Sequence, residues 1–441
     1  MREILILQLG GFGIKMGMKF WEEMLKDSEF CNDNEQVTQS NNHLLNTSNA
    51  VYYNLHEKKA LPRCIQVDLG QDLPYTNIDF NPCNQFSFNY SSGNNFGFVK
   101  NNCSNEIVDI LIDSIRQEVE QCDSFQGFQI FASIIGGTGS GLSAILSQKL
   151  EEEYSTAITQ CNLLVPSIKQ DDLCVVSPYN STLSFNILMD SAQQLIFYDN
   201  QGLKQNLNRL GIQFNYDDAN LLVSQTICCN SSPFRNPGDV NSSLRKLSTN
   251  LIPFPELKLL TCSLTNNQFS DYYKEYLKMD EYQVFKELMS TDHNQTSINY
   301  TQGIFLTAAL SLRGNISNKE IDLQKSLFEH FIDNSYYRRG SFAKKVKQFN
   351  MFFTNICKKT LSNYEFMGSS IINSSSIIES LKSLDEKFNK MQIRKSYMYK
   401  YTQEGIEEEE FNEAQTRLRD IYHFYEDKFN EDDGENNENF E

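Results

Sequence analysis

The sequence predicts an α/β fold: a mostly parallel sheet with helices on both faces, then an α+β lobe and a helical C-terminal layer. Three observations carry that expectation. Strand-length apolar runs alternate with amphipathic helical segments through the first half. Glycine clusters sit at two of the strand-to-helix junctions. At 441 residues the chain exceeds what one ordinary core holds, so two or three packed lobes are expected.

Element by element, residues 3–9 (EILILQL) read as a buried strand and 14–25 as a helix. Residues 64–69 follow Pro62 as a second strand. The segment 107–120 is an amphipathic helix, with Ile107, Ile110, Leu111, Ile115 and Val119 expected on its buried face. Strand 128–135, helix 142–150 and strand 161–166 continue the alternation, which favours parallel pairing. Further on, 305–313 and 351–356 read as strands, and 377–391 and 408–425 as helices. Phe411, Leu418 and Ile421 share one face of the last.

Composition narrows the function. The formal charge of −18 and pI near 4.8 repel phosphate backbones, which excludes a general nucleic-acid binder. Residues 403–441 hold 15 acids against three bases, so −12 of the −18 lies there; 431–441 are expected to be a solvated, disordered acidic tail. No run approaches 18 apolar residues, so no membrane span is expected, and the opening residues lead into glycines rather than reading as a signal peptide. Eleven cysteines without a CxxC pair fit reduced thiols, and none of the five histidines has metal-ligand spacing.

The chemistry concentrates in the glycines. Gly10, Gly11, Phe12 and Gly13 follow the first strand; Gly136, Gly137, Thr138, Gly139, Ser140 and Gly141 follow strand 128–135. Glycines admit a phosphate close to backbone N–H groups, helix N-termini add a positive dipole end, and Thr138 and Ser140 can add hydroxyl donors. GGFG alone reads better as a plain tight turn, whereas GGTGSG has no packing advantage in one. No GK[ST] follows, so this is not the lysine-bearing phosphate loop. Asp33 and Glu35 stand where a dinucleotide oxidoreductase would carry its ribose acid, but in a polar Asn-rich tract, which disfavours that reading.

With these loops, a series of ordered matches resembles the tubulins. MREI at 1–4, Gln8, Gly10, Gly13, Gly17 and KFWE at 19–22 lead into VYYN at 51–54, LPR at 61–63, VDL at 67–69, GNN at 93–95 and QGFQ at 126–129. GGTGSG resembles the tubulin signature loop, followed by PYNSTLS at 178–184, LRKL at 244–247, PFP at 253–255, YTQEG at 401–405, the EFNEA run ending at 414 and the acidic tail. MREI and LRKL are β-like, and Lys246 stands where α-type chains carry an acid that acts on the neighbour's GTP. Segment 348–370 fits neither subtype.

The resemblance implies a Rossmann-like GTPase domain over 1–200, a core helix and α+β intermediate domain over 201–372, and C-terminal helices over 373–430. It implies GTP or GDP, with the guanine held by Asn200, Asn220 and a stacking Tyr216. Ser133, Gly137, Thr138 and Gly139 would hold the phosphates, with Asn94 near the γ-phosphate and Asp171 or Asp172 by the ribose loop. Departures cluster at the metal end: Gly11 and Phe12 replace a glutamine and a cysteine, Gly70 an acid that anchors Mg²⁺, Ile135 a glycine, and Ser177 an acid. Mg²⁺ fixation is expected to be weakened unless neighbours compensate, and Ile135 is expected to restrict its loop.

The implied function is a structural subunit of the microtubule cytoskeleton in the cytoplasm, paired as a heterodimer with an α-tubulin-type subunit and with lattice neighbours. GTP hydrolysis would be coupled to assembly, with the acid coming from the partner. The acidic tail would recruit basic microtubule-associated proteins or motors. The basic run Arg338, Arg339, Lys344, Lys345 and Lys347 would alter a longitudinal contact. The alternative is an assembly-incompetent homologue that regulates or caps microtubules with a degraded GTPase site.

Overall fold

The computed structural model describes residues 2–28, 51–56, 59–70, 73–74, 78–102, 105–169, 174–236, 242–265, 281–288, 290–299, 303, 305–314, 317, 319–320, 322–323, 326, 352–357 and 366–430. Asp33, Glu35, Asp171, Asp172, the basic run at 338–347 and the 431–441 tail lie outside these residues.

Alternation of strand and helix runs through the first half. Strand β1 (Glu3–Leu9) passes directly into α1 (Gly10–Ser28). A hairpin of β2 (Tyr53–His56) and β3 (Lys59–Pro62) precedes β4 (Cys64–Asp68) and β5 (Gln85–Ser87). Then come α2 (Phe96–Asn102), α3 (Asn105–Glu120), β6 (Phe125–Ser133), α4 (Gly137–Glu153), β7 (Ile158–Val165), α5 (Ser177–Ser191), β8 (Gln194–Asp199) and α6 (Asn200–Arg209). Helix α7 (Tyr216–Arg235) crosses the centre and α8 (Leu244–Leu251) follows it. The remainder comprises β9 (Leu259–Leu264), α9 (Glu281–Leu288), β10 (Phe305–Gly314), β11 (Phe352–Cys357), β12 (Phe366–Ser374), α10 (Ile378–Ile393), α11 (Met398–Gln403) and α12 (Glu408–Asn430).

Among the described residues one ten-stranded sheet runs β11-β10-β12-β9-β8-β7-β6-β1-β4-β5. From β9 to β5 every pair is parallel, as the alternation of elements requires. Beyond β9, β12 runs antiparallel to both its neighbours, and β10 and β11 are parallel to one another. Strand β9 therefore belongs to both the parallel and the mixed half.

Two cores sandwich this sheet. One face packs Leu5, Leu7, Leu111, Ile130 and Leu163 beneath α3, α4, α10 and α12. The other packs Phe20, Trp21, Phe131, Val223 and Ile371 beneath α1 and α7. This second face also carries amides. Gln8, Gln66 and Gln85 are register partners on β1, β4 and β5, and their side chains link in series at 2.9 and 3.0 Å. Gln129, Gln160 and Gln194 do the same across β6, β7 and β8 at 2.6 and 2.5 Å.

Expected segments overlap the observed elements, with corrections. Strands 64–69, 128–135 and 161–166 end one or two residues earlier than expected. In the 107–120 helix Leu111 and Ile115 are buried and Ile107 and Val119 pack half-buried against the same core, as expected, whereas Ile110 is 48% exposed and Val108 and Ile112 are buried beside them. Helices α1 and α4 begin four and five residues before the expected 14–25 and 142–150, because their glycine junctions form the first helical turns.

Candidate functional site

Parallel strands put their carboxyl ends on one edge, and the register aligns them: Gln8 pairs with Phe131, Ser133 with Leu164, and Val165 with Asp199. The segments that follow β1, β6 and β8 therefore emerge side by side, roughly 10 Å separating the ends of β6 and β8 at two inter-strand spacings.

The two glycine junctions touch. Gly10 has φ +72°, and a Cβ there would lie 3.1 Å from the Gly139 nitrogen and 3.6 Å from the Thr138 Cβ. A Cβ at Gly137 would stand 2.5 Å from the Asn95 nitrogen, and one at Gly139 would stand 2.5 Å from the Ser133 carbonyl oxygen. These glycines permit backbones to approach where any side chain would wedge them apart. A Cβ on Gly11 would meet nothing within 4 Å, and that residue is exposed. Phe12 instead packs half-buried against the core beneath α1. Gly136 is the N-cap of α4 and supplies no side-chain cap, so first-turn N–H groups of that helix remain for another acceptor.

The remaining phosphate candidates gather at the same place. Asn94, exposed and at φ +55°, lies next to Gly136, whose Cβ would be 3.8 Å from the Asn94 Oδ1. Thr138 shares a 3.1 Å hydroxyl contact with Ser92. The Ser133 hydroxyl accepts from the Ile135 N–H at 3.3 Å. Two expectations change. Ser140 is fully buried and its hydroxyl donates to the Gly136 carbonyl at 2.5 Å, so it offers no donor to the crevice. Ile135 lies outside the positive-φ positions, so the backbone there does not require glycine.

Asn200, Tyr216 and Asn220 sit apart from the glycines. Asn200 is the first residue of α6, at the end of β8. Tyr216 opens α7 and is 53% exposed, its ring 5.3 Å edge-on from Phe214; Asn220 is one turn further along and buried. Helices α6, which Asn200 opens, and α7, which carries Tyr216 and Asn220, pack together.

Two residues that sequence reasoning passed over hold this arrangement. Asp199, the N-cap of α6, accepts from the Gly202 N–H at 2.5 Å and from the Ser297 N–H and hydroxyl at 2.7 and 2.8 Å. Burial raises its pKa, opposed by those donors. An Asp directly before a helix is a legible cap signal. Asn180, on α5, bonds to four residues in three separate segments and has no comparable signal.

The metal end is sparse. The carboxylate of Asp68 accepts from the Gly70 N–H at 3.3 Å, and the Ser87 hydroxyl donates to the Gly70 carbonyl at 3.1 Å. Among the described residues no group of three His, Cys, Asp or Glu could enclose a cation. Ser177 is buried in the first turn of α5.

Paired glycine junctions in contact at one edge of a parallel sheet define the class: a nucleotide-binding α/β protein. Residues 3–208 match the GTPase domain of the Tubulin/FtsZ family. The chain is 32% identical to the tubulin beta chain of Encephalitozoon cuniculi over 98% of both chains. It is likewise 32% identical to those of Aspergillus fumigatus, over 96% of this chain and 94% of the relative, and Cicer arietinum, over 99% and 97%. The chain belongs to the tubulin family, and it is β-tubulin-like. Its GTPase domain implies guanine-nucleotide binding.

Proposed function

We propose that this chain is a GTP-binding subunit of the microtubule cytoskeleton, assembling with an α-tubulin-type partner. The observation that carries the reading is the contact of Gly10 with Gly139 and Thr138, which joins two phosphate-accepting junctions on one sheet edge. On this reading Gly10, Gly11, Phe12, Ser133, Gly136, Gly137, Thr138 and Gly139 surround the phosphates, Asn94 lies at the γ-phosphate, and Asn200, Tyr216 and Asn220 take the guanine. Asp171 or Asp172 lies by the ribose. Residues 1–200, 201–372 and 373–430 act as nucleotide-binding, intermediate and outer layers.

Hydrolysis needs an acid at the γ-phosphate of the neighbour's nucleotide. Lys246, exposed on α8, supplies none, so this chain does not activate the next subunit's GTP; its own GTP awaits the partner's acid. Mg²⁺ is held mainly by phosphates and water, because among the described residues the acid beside Gly70 is Asp68, whose carboxylate is turned to the Gly70 N–H. The acidic C-terminal stretch attracts basic motors and microtubule-associated proteins.

Denaturing the purified chain and chromatographing the released nucleotide tests the site: about one guanine nucleotide per chain is expected, and adenine nucleotide would overturn it. Co-sedimentation with α/β polymer tests the role. Incorporation along the lattice supports a subunit. End-binding or sequestration supports the second reading, an assembly-incompetent regulator, which Gly70 favours by its missing carboxylate.

A further inference from the structure

Asn180 is fully buried in the first turn of α5, and its amide binds four residues from three other segments. Nδ2 donates to the carbonyl oxygens of Asn94 at 2.8 Å and Ile135 at 3.1 Å. Oδ1 accepts from the Phe96 N–H at 3.1 Å and from the Tyr401 hydroxyl at 2.6 Å. Two donors and two lone pairs are the whole capacity of an Asn side chain, so nothing is left over. Its orientation is dictated, because both carbonyls only accept and the Phe96 N–H only donates.

These partners are not equivalent. Asn94 belongs to the turn whose backbone a Cβ at Gly137 would strike, and Ile135 closes the stretch before the signature glycines. Phe96 opens α2. Tyr401 belongs to α11 in the C-terminal layer, and its ring packs edge-on against Tyr179 and Phe411 with centroids 5.5 and 5.6 Å away. That packing aims the hydroxyl at Asn180. The β6–α4 junction is tied to the same helix α5 by Ser181, whose hydroxyl donates to the Ile134 carbonyl at 3.0 Å.

We infer that Asn180 is a positioning residue that fixes the gap between the 91–95 turn and the β6–α4 junction, and that the Tyr401 hydroxyl, by holding its amide, couples the phosphate end of the nucleotide site to α11. The inference rests on the guanine-nucleotide reading given above. The gap is where the γ-phosphate of that reading lies, so GTP feels the coupling and GDP does not. Binding at one end stiffens the other by the same linkage.

Two full-length variants test it. Tyr401→Phe keeps the ring and its packing and removes only the hydroxyl. Asn180→Asp keeps the shape but sets a carboxylate oxygen against two carbonyl oxygens. GTP and GDP dissociation constants are measured by competition with a fluorescent guanine nucleotide, alongside the Tm and amide hydrogen exchange of 398–403. Tyr401→Phe is expected to weaken GTP about three- to tenfold, the worth of one buried hydrogen bond, with GDP unchanged. Asn180→Asp is expected to weaken GTP further. Wild-type exchange at 398–403 is expected to be slower with GTP than with GDP, and Tyr401→Phe to erase the difference. Equal losses for GTP and GDP, or exchange indifferent to nucleotide in the wild type, would leave Asn180 a structural residue and overturn the coupling. A folded wild type that binds no guanine nucleotide would instead sink the underlying reading, and the inference with it. If Asn180→Asp does not fold, Tyr401→Phe decides alone.

Discussion

At the scale of single residues, the glycines differ in what they tolerate. Gly137→Ala places a methyl 2.5 Å from the Asn95 nitrogen, so one backbone must retreat. The cost is about 1–3 kcal/mol, and nucleotide affinity is expected to fall about tenfold, measured by the nucleotide content of the purified variant. Gly70 offers the opposite experiment. A Cβ there would sit 3.8 Å from the Asp68 carboxylate, an ordinary contact, so Gly70→Glu fits. It is expected to slow nucleotide release in Mg²⁺, with the gain lost in a chelator; a release rate unchanged in Mg²⁺ would place the metal elsewhere. The glycine clusters were legible because nothing in ordinary packing calls for four interleaved with hydroxyls. The base-binding set was reached only through the resemblance, since Asn200, Tyr216 and Asn220 have no spacing of their own. Asn180 was hidden because its partners lie 84, 86, 45 and 221 positions away in the chain.

At the scale of elements, burial explains what was missed. Helix α5 buries Asn180, Ser181, Thr182 and Ser184 along with Tyr179 and Leu183, so it shows no amphipathic stripe for a periodicity argument to find. Helix α3, half exposed, was readable, although Ile110 was assigned to the wrong face. Its inner face keeps Leu111 and Ile115, with Ile107 and Val119 half-buried beside them, and adds Val108 and Ile112, so Ile110 alone was misplaced.

The end of β9 provides a pH test. His293 Nδ1 donates to the Leu264 carbonyl at 3.2 Å, so its Nε2 accepts from Arg209. Burial first, and the Arg209 charge second, press its pKa down to about 3. An unfolded histidine takes up its proton near pH 6.5 and the folded one does not, so stability falls as pH drops below about 6.5. Urea midpoints between pH 6 and 4 are expected to fall more steeply for wild type than for His293→Gln, by as much as about 1.4 kcal/mol per pH unit. Parallel slopes would mean that His293 protonates in the fold.

For the whole molecule, the sheet does not divide where the sequence changes character. Strand β9 pairs with β8 on one side and β12 on the other, and one core cluster runs from Phe20 and Trp21 to Ala309 and Ile371. The parallel half was readable from local alternation. This join was not, because β9 and its partner β12 are distant in sequence. Beneath it, Asp27 of α1 meets Arg235 of α7 at 2.6 Å and Arg313 of β10 at 2.5 Å, all three buried. Burial raises the Asp27 pKa, but the two guanidinium groups outweigh it and hold the carboxyl well below the usual range. Its stabilisation is therefore present above about pH 4 and lost as pH falls below it. One unfolding transition is expected for residues on both sides of β9. Asp27→Asn is expected to lower it at pH 7 by about 3–5 kcal/mol, because two buried cations lose their counterion. Two separate transitions in calorimetry would count against the join.

The glutamine rows act at this same scale, on the path to the fold. Residues 129, 160 and 194 can interlock only when β6, β7 and β8 meet in the native alignment. A slip of one residue would turn each amide toward the opposite, oily face. In a sheet otherwise built from interchangeable apolar strands, the rows work as a combination lock: a misaligned intermediate carries polar groups it cannot satisfy, and so reopens before it can set.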